Sequence, residues 1–87
     1  MKKTVLITGA SGGIGQALCR AFAKDGYNII AQYCKNEADI YTLKNDVKDL
    51  FNAELIPIRA DLTEKNDVCA LAEAVKSGGV DVLVNNA

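Results

Sequence analysis

A chain of 87 residues provides for one small domain and leaves no room for a separate substrate domain. Its 49% hydrophobic and 24% charged residues are typical of a globular protein with a core. The net charge of -1 indicates neither a nucleic-acid partner nor an anionic membrane surface. Because the chain has no histidine, it offers no histidine base, no histidine metal ligand and no Ser-His-Asp triad.

The cysteine pattern and the N-terminal segment predict a cytoplasmic protein. Cys19, Cys34 and Cys69 are far apart in the sequence and form no Cys-x-x-Cys pair. We therefore expect reduced thiols rather than a disulfide framework or a zinc site. The apolar run near the N-terminus is too short for a signal peptide or a membrane span.

The hydrophobic pattern predicts four strands that alternate with three helices. Short runs of apolar residues are typical of buried strands, and apolar residues three and four positions apart are typical of helices. Gly26 suits the end of the first helix, and Thr63 suits the cap of the third. In chain order we predict a strand over 4–8, a helix over 13–24, a strand over 27–33, a helix over 37–51, a strand over 55–60, a helix over 64–77 and a strand over 80–84.

This alternation predicts an α/β fold with a parallel sheet and right-handed crossovers. Pro57 falls in the third strand, and proline donates no ladder hydrogen bond, so we place that strand at a sheet edge. The order 3-2-1-4 meets this condition and gives a Rossmann-type doubly wound βαβαβαβ sheet. The hydrophobic fourth strand then lies at the other edge, although such strands normally lie inside a sheet. We therefore expect an incomplete fold.

A glycine-rich turn follows the first strand and opens the first helix. Residues 8–15 read Thr-Gly-Ala-Ser-Gly-Gly-Ile-Gly. A helix N-terminus leaves backbone N–H groups unpaired, and these groups attract anionic oxygen. Glycine removes the side chains that would keep a pyrophosphate away from those amides. The turn therefore predicts a dinucleotide site.

Three motifs together resemble the short-chain dehydrogenase/reductase family. They are Thr-Gly-x-x-x-Gly-x-Gly from Thr8, Asp61 after the third strand, and Asn-Asn-Ala at 85–87. Within the family, residues 29–33 and 59–63 resemble bacterial 3-oxoacyl-acyl-carrier-protein reductases, and a reductase of modified elongation factor P is similar too. The resemblance covers residues 2–87 and implies a nicotinamide-dependent oxidoreductase.

The resemblance also implies which residues surround the cofactor. Asp61 would accept a hydrogen bond from the adenine amino group, with Leu62 beside the ring. Asn86 and Ala87 would lie along the adenosine ribose, and Asn85 would brace the sheet. Asp61 also suits a turn or a helix cap, and Asn86 also suits a polar strand end without a ligand. The residues around the pyrophosphate and its ribose would be Gly9, Ser11, Gly13, Ile14 and Gly15.

The residues after the second strand favour NADP over NAD. A carboxylate there would grip the 2′-hydroxyl of NAD, but the chain has Gln32, Tyr33 and Cys34 in that place. A 2′-phosphate is therefore admitted, and Lys35 could pair with it or could simply be an exposed lysine. Many NADP-using relatives have a basic residue at the position of Gly12, so Lys35 would act largely alone. We include Gly12, Cys34 and Lys35 in the cofactor site.

No catalytic residue is predicted within this chain. By resemblance, the chemistry needs a serine, a Tyr-x-x-x-Lys group and an asparagine that lie beyond the Asn-Asn-Ala motif. Tyr33 and Tyr41 are followed four residues later by Glu37 and Asn45 instead of lysine.

We therefore expect residues 1–87 to be the N-terminal dinucleotide-binding part of a Rossmann domain, inactive alone. The parent protein would be a homo-oligomer that acts on a carbonyl or alcohol, with a 3-oxoacyl thioester as one candidate. One alternative is a non-catalytic nucleotide-binding or assembly module that associates through its exposed strand edge. Another is a degenerate remnant that scarcely folds.

Overall fold

The structure, a computed structural model, describes residues 2–86. Strands and helices alternate along the chain, which confirms the predicted βαβαβαβ order. The first two helices have the predicted bounds, and the other elements differ from the prediction by one or two residues at their ends. The elements are β1 (Thr4–Ile7), α1 (Gly13–Lys24), β2 (Asn28–Tyr33), α2 (Glu37–Phe51), β3 (Leu55–Arg59), α3 (Lys65–Gly78) and β4 (Val82–Val84).

The four strands form one parallel sheet in the order β3-β2-β1-β4. This is the predicted order 3-2-1-4. Pro57 lies opposite Ala31 in the edge strand β3, where a missing N–H group is tolerated. Within residues 2–86, β4 pairs with β1 alone and forms the other edge of the sheet.

Helices cover both faces of the sheet because alternate strand residues point to opposite sides. On one side, Val5 packs in a buried cluster with Cys19 of α1 and Leu43 of α2. On the other side, Leu6 and Ile30 pack with residues that include Leu71 of α3. Helices α1 and α2 thus share one face and α3 lies on the other, which confirms the doubly wound arrangement.

The α3 face is fully covered only over the two central strands. Leu6 and Ile30 are buried there, at 6% and 3% exposure. Their neighbours in register on the edge strands, Leu83 and Ile56, are 64% and 52% exposed. Apolar surface therefore remains open at both edges of this face.

The backbone geometry at the end of α1 explains why Gly26 suits this position. Gly26 has a φ of 91°, in the left-handed region that favours glycine. Its N–H donates to the Ala23 carbonyl at 3.1 Å, and the Tyr27 N–H donates to the Phe22 carbonyl at 3.0 Å. The rings of Phe22 and Tyr27 meet edge to face at 5.0 Å. These contacts form a Schellman motif that ends the helix and starts β2.

Strand β4 begins two residues later than predicted. The Thr4 N–H donates to the Asp81 carboxylate at 2.9 Å, and the Asp81 N–H donates to the Thr4 carbonyl at 2.8 Å. A side-chain oxygen thus accepts the bond from the first strand residue of β1. The register of paired strand residues begins one residue later, with Val5 opposite Val82.

The three cysteines differ in burial. Cys19 is buried, Cys34 is half-buried and Cys69 is exposed, and all three are free thiols. Burial raises the pKa of the Cys19 thiol to about 12, so this cysteine is chemically inert near neutral pH.

Across residues 2–86, no helix combines the length and the apolar character needed to cross a bilayer.

Candidate functional site

A cleft of about 590 Å³ opens at the carboxyl ends of the strands. It lies where the turn after β1 meets the ends of β2, β3 and β4. The chain continues from β1 to β2 on one side, whereas β4 lies on the other, and ligands of such sheets bind at this switch point. The lining residues are Gly9, Ser11, Gly12, Gly13, Ile14, Gly15, Gln32, Cys34, Lys35, Asp61, Leu62, Thr63 and Asn86.

Every predicted site residue that the structure describes lines this one cleft. Ala87 was predicted as well, and it lies outside the described residues. The cleft has two further lining residues, Gln32 and Thr63, which the sequence did not indicate as site residues. The fold therefore gathers four separate segments of the chain around a single opening.

The glycines of the turn have two different roles. Gly9 has a φ of 63°, and a Cβ on Gly15 would lie 2.1 Å from the Gly9 carbonyl oxygen. The chain itself therefore requires glycine at these two positions. A Cβ on Gly13 would meet nothing within 4 Å, and one on Gly12 would lie 3.7 Å from the Gly9 oxygen. The missing side chains of Gly12 and Gly13 thus leave space in the cleft rather than within the protein.

The first turn of α1 presents positive character to the cleft. Its first residue is Gly13, and Gly12 occupies the cap position without a side-chain capping bond. No acidic residue lies in this first turn, all of which the structure describes. The free backbone N–H groups and the positive end of the helix dipole therefore suit an anion such as a pyrophosphate.

The end of β4 is attached to the glycine turn by side chains. The Thr8 hydroxyl accepts a hydrogen bond from the Asn86 N–H at 2.9 Å and donates to the Asn85 side-chain oxygen at 3.2 Å. The Asn86 amide donates to the Gly9 carbonyl at 3.2 Å. These bonds hold Asn86 against the turn at the wall of the cleft.

Gln32 is the principal site residue that the sequence reasoning missed. It is 2% exposed and lies near the end of β2. Its Oε1 accepts from the Gly9 N–H at 2.8 Å, and its Nε2 donates to the Ala60 carbonyl at 2.6 Å. The available signal was an amide within an apolar strand, because a buried amide must find both a donor and an acceptor.

Asp61 is held as a carboxylate by the loop after β3. Its Oδ1 accepts from the Thr63 hydroxyl at 2.7 Å and from the Thr63 N–H at 2.9 Å. These bonds, together with the positive charge of Lys35, hold the pKa of Asp61 below its usual value. Its own N–H donates to the Asp67 carboxylate of α3 at 2.8 Å. An ionised carboxylate only accepts hydrogen bonds, so a ligand atom that faces it must be a donor.

The prediction that Thr63 caps α3 is wrong. The cap position is Glu64, whose side chain makes no capping bond. Thr63 instead closes a tight turn on Asp61, two residues earlier in the chain. An aspartate two residues before a threonine competes for the threonine hydroxyl and N–H group, and in this structure Asp61 accepts a hydrogen bond from both.

Tyr33 has the environment of a packing residue. It is 4% exposed, and its hydroxyl donates to the Glu37 carboxylate at 3.1 Å. Burial and the Glu37 carboxylate raise the pKa of Tyr33. A tyrosine that transfers protons near neutral pH needs a lowered pKa, and the shift of Tyr33 has the opposite direction.

Comparison with known protein sequences places this architecture in a family. The sequence profile of the short chain dehydrogenases matches residues 3–87. D-beta-hydroxybutyrate dehydrogenase of Rhizobium meliloti is 36% identical over 89 aligned positions, covering 100% of this chain and 34% of that protein. A 3-oxoacyl-[acyl-carrier-protein] reductase of Staphylococcus aureus is 34% identical, covering 100% of this chain and 36% of that protein. The chain thus spans about a third of the length of these relatives.

Solved structures agree with the sequence comparison. A short-chain dehydrogenase from Sphingobium yanoikuyae in complex with NADPH superposes with a TM-score of 0.90 at 30% identity, covering 98% of this chain and 33% of that one. L-sorbose reductase from Gluconobacter frateurii, complexed with NADPH and L-sorbose, gives a TM-score of 0.89 at 34% identity, covering 99% and 33%. With the glycine turn, the strand order and the match over residues 3–87, this chain belongs to the short-chain dehydrogenase/reductase family.

Proposed function

We propose that residues 1–87 are the NADP(H)-binding N-terminal part of a short-chain oxidoreductase. The observation that carries the proposal is the single cleft formed by the glycine turn and the ends of β2, β3 and β4. The two structural neighbours described above are complexes with NADPH, which supports the choice of cofactor. When bound, the cofactor supplies or accepts a hydride at its nicotinamide ring.

The residues of the cleft fit the parts of a dinucleotide. The turn amides and the open space beside Gly13 suit the pyrophosphate. The Asp61 carboxylate suits the adenine amino group, a hydrogen-bond donor, and Leu62 offers apolar contact to the ring. Asn86, and Ala87 after it, suit the adenosine ribose.

The end of β2 supports NADP over NAD. Lys35 is exposed at the rim of the cleft, next to the half-buried Cys34. No carboxylate occupies this strand end to repel a 2′-phosphate, and the ammonium group of Lys35 can attract one. Asp61 lines the same cleft, close enough to Lys35 for the ammonium group to lower the pKa of the carboxyl.

The parent activity that we propose is hydride transfer between nicotinamide and a carbonyl or alcohol. A 3-oxoacyl thioester is the candidate substrate, in keeping with the relative from Staphylococcus aureus. We assign no catalytic residue to this chain and propose that the parent is a cytoplasmic homo-oligomer. The role of the 87-residue chain is then to bind and orient the cofactor.

The direct test is titration of the purified chain with NADPH and, separately, NADH, followed by nicotinamide fluorescence or by heat. We expect saturable binding of both, with NADPH bound more tightly. A chain that is folded by circular dichroism and melts cooperatively, yet binds neither nucleotide, would contradict the proposal. Equal affinities would contradict the NADP preference alone.

An assembly role through the sheet edge is a second candidate, favoured by one observation. Leu83 of β4 is 64% exposed, and within the described part of the chain β4 pairs only with β1. Exposed edge strands are sites of pairing with other chains, and a lysine on the edge opposes such pairing. Sedimentation of the wild type should then show association that Leu83→Lys removes. A wild type that stays monomeric at the highest soluble concentration would exclude this role.

A further inference from the structure

Two backbone carbonyls and one side chain of the β2 segment 32–33 connect the two loops that we assign to opposite ends of the proposed ligand. The first loop is the glycine turn, which we assign to the pyrophosphate. The second begins at Ala60 and continues into Asp61, which we assign to the adenine. Gln32 bonds to both loops through one side chain, at Gly9 and at Ala60. The distance between the loops therefore depends on this amide.

We propose that Gln32 is a positioning residue that couples the pyrophosphate turn to the adenine loop. This inference rests on the proposed function, because it assigns a role within the same cofactor site. In this role Gln32 acts through the backbone of the two loops. The cofactor, which reaches both loops at once, binds tightly only when their spacing is held.

The chemistry of the amide explains why this residue type is needed. One end of the group must accept a bond from an N–H, and the other must donate a bond to a carbonyl. An amide side chain offers both functions in one rigid plane, and it does so without a change of protonation. Gln32 is 2% exposed, so an amide that loses either bond keeps a buried polar atom without a partner.

Backbone bonds on either side of Gln32 restrict the same two loops. The Ala10 N–H donates to the Gln32 carbonyl at 2.9 Å, and the Ala60 N–H donates to the Tyr33 carbonyl at 2.9 Å. These two bonds tie the backbone of β2 to one residue of each loop. The side chain of Gln32 adds the last contact to each loop, to the Gly9 N–H and the Ala60 oxygen.

Gln16 of α1, which bonds to the glycine turn, provides a matched control. Its Nε2 donates to the Ser11 carbonyl at 2.8 Å, so its amide acts inside the glycine turn alone. Gln16→Met and Gln32→Met remove the same functional group and replace it with a side chain of similar length. Only the second substitution removes a connection between loops.

The experiment compares the whole cofactor with two fragments that each reach one loop. NADPH binding is measured by fluorescence, and adenosine and inorganic pyrophosphate binding by chemical shifts in NMR spectra. We expect Gln32→Met to weaken the binding of NADPH by about tenfold. The binding of each fragment should weaken by less than about threefold, since each fragment needs only one loop. Gln16→Met should weaken NADPH and pyrophosphate by similar factors.

Two results of this comparison would overturn the inference. One is a folded Gln32→Met protein that binds NADPH as the wild type does, as a residue with a purely structural role would allow. The other is a loss of pyrophosphate affinity as large as the loss of NADPH affinity, which would restrict Gln32 to ordering the turn. If the wild type itself binds no NADPH, the proposed function fails instead.

Gln32→Glu tests the coupling even if the methionine variant does not fold. A protonated glutamic acid can accept from Gly9 and donate to Ala60, whereas a carboxylate opposes the Ala60 oxygen. Burial raises the pKa of such a carboxyl, so both bonds should return as the pH falls from about 8 to about 5. The NADPH affinity of this variant should then rise relative to that of the wild type at the same pH.

The NADPH affinity of the wild type at each pH is the reference, because the other charged groups near the amide titrate in both proteins. Those groups are Asp61 and Asp67 on the adenine side and Lys35 and Arg59 at the strand ends, and all remain in the variant. A variant whose affinity follows the wild type across this pH range would overturn the inference. Recovery toward wild-type affinity at low pH supports it.

Discussion

The two walls of the cleft differ in what fixes their shape. The turn wall, residues 9–15, is shaped by backbone conformation and by the close approach of Gly15 to Gly9. The side-chain wall, residues 32–35 and 61–63, is shaped by hydrogen bonds and charges, such as those between Asp61 and Thr63. Substitutions in the turn wall should therefore change the room available to the backbone and the ligand. Substitutions in the side-chain wall should change the local charge and the cofactor selectivity.

The largest effect should come from Gly15→Ala in the turn wall. A Cβ would lie 2.1 Å from the Gly9 oxygen and 2.8 Å from the Ala10 Cα, both backbone atoms that cannot move aside alone. We expect the free energy of unfolding to fall by about 2–3 kcal/mol and NADPH binding to be lost. Urea denaturation and cofactor titration measure the two effects. An unchanged free energy of unfolding would show that the backbone of the turn can move to accommodate the methyl group.

Gly13→Ala should separate the shape of the turn from its space for a ligand. Its Cβ would meet no atom of the chain within 4 Å. We expect the unfolding free energy to stay the same or rise by less than about 1 kcal/mol, since alanine restricts the unfolded chain. NADPH affinity should fall by about tenfold, because the methyl group enters the space of the pyrophosphate. Unchanged affinity would place the pyrophosphate elsewhere.

Lys35→Gln should change selectivity in the side-chain wall without changing the fold. We expect NADPH affinity to fall by about fivefold, while NADH affinity stays the same, because only NADPH carries a 2′-phosphate. Lys76→Gln, a like substitution at the end of α3 outside the cleft, is the control for net charge. Gly12→Arg should act in the opposite direction and tighten NADPH. If both nucleotides weaken equally in Lys35→Gln, the lysine does not contact the 2′-phosphate.

Asp61→Asn should lower the stability slightly, and the effect should depend on pH. The pKa of Asp61 is lowered in the folded chain, so its carboxylate contributes stability above the ordinary pKa of 3.8. That contribution is lost as the pH falls through the lowered folded pKa. The difference in urea midpoint between wild type and variant should therefore be present at pH 7 and shrink in acid. A difference that persists in acid would assign it to altered geometry instead of charge.

Much of the fold could be predicted from local patterns. The bounds of α1 and α2 follow from the spacing of apolar residues, since a helix buries a stripe of its own surface. The edge position of β3 follows from Pro57, because a proline lacks the N–H that an inner strand must donate. The glycine turn likewise indicates an anion site from local sequence alone, because its position between strand and helix sets the geometry.

Predictions failed where several partners compete for one polar group. Thr63 suits a helix cap by its type, but Asp61 lies close enough to take its hydroxyl and its N–H. The start of β4 was misplaced because the Asp81 carboxylate, rather than a backbone carbonyl, accepts the Thr4 N–H. Such outcomes depend on distances that the order of residues does not specify.

The sequence by itself determined the order of elements, the resemblance to the family and most of the residues around the cleft. These depend on local periodicity, on the backbone freedom of glycine and proline, and on motifs of fixed spacing. Only the tertiary structure decided that Gln32 joins the glycine turn to the loop at Ala60. Its two partners lie far from it in the chain, and they come within hydrogen-bond distance only after the parallel sheet has formed.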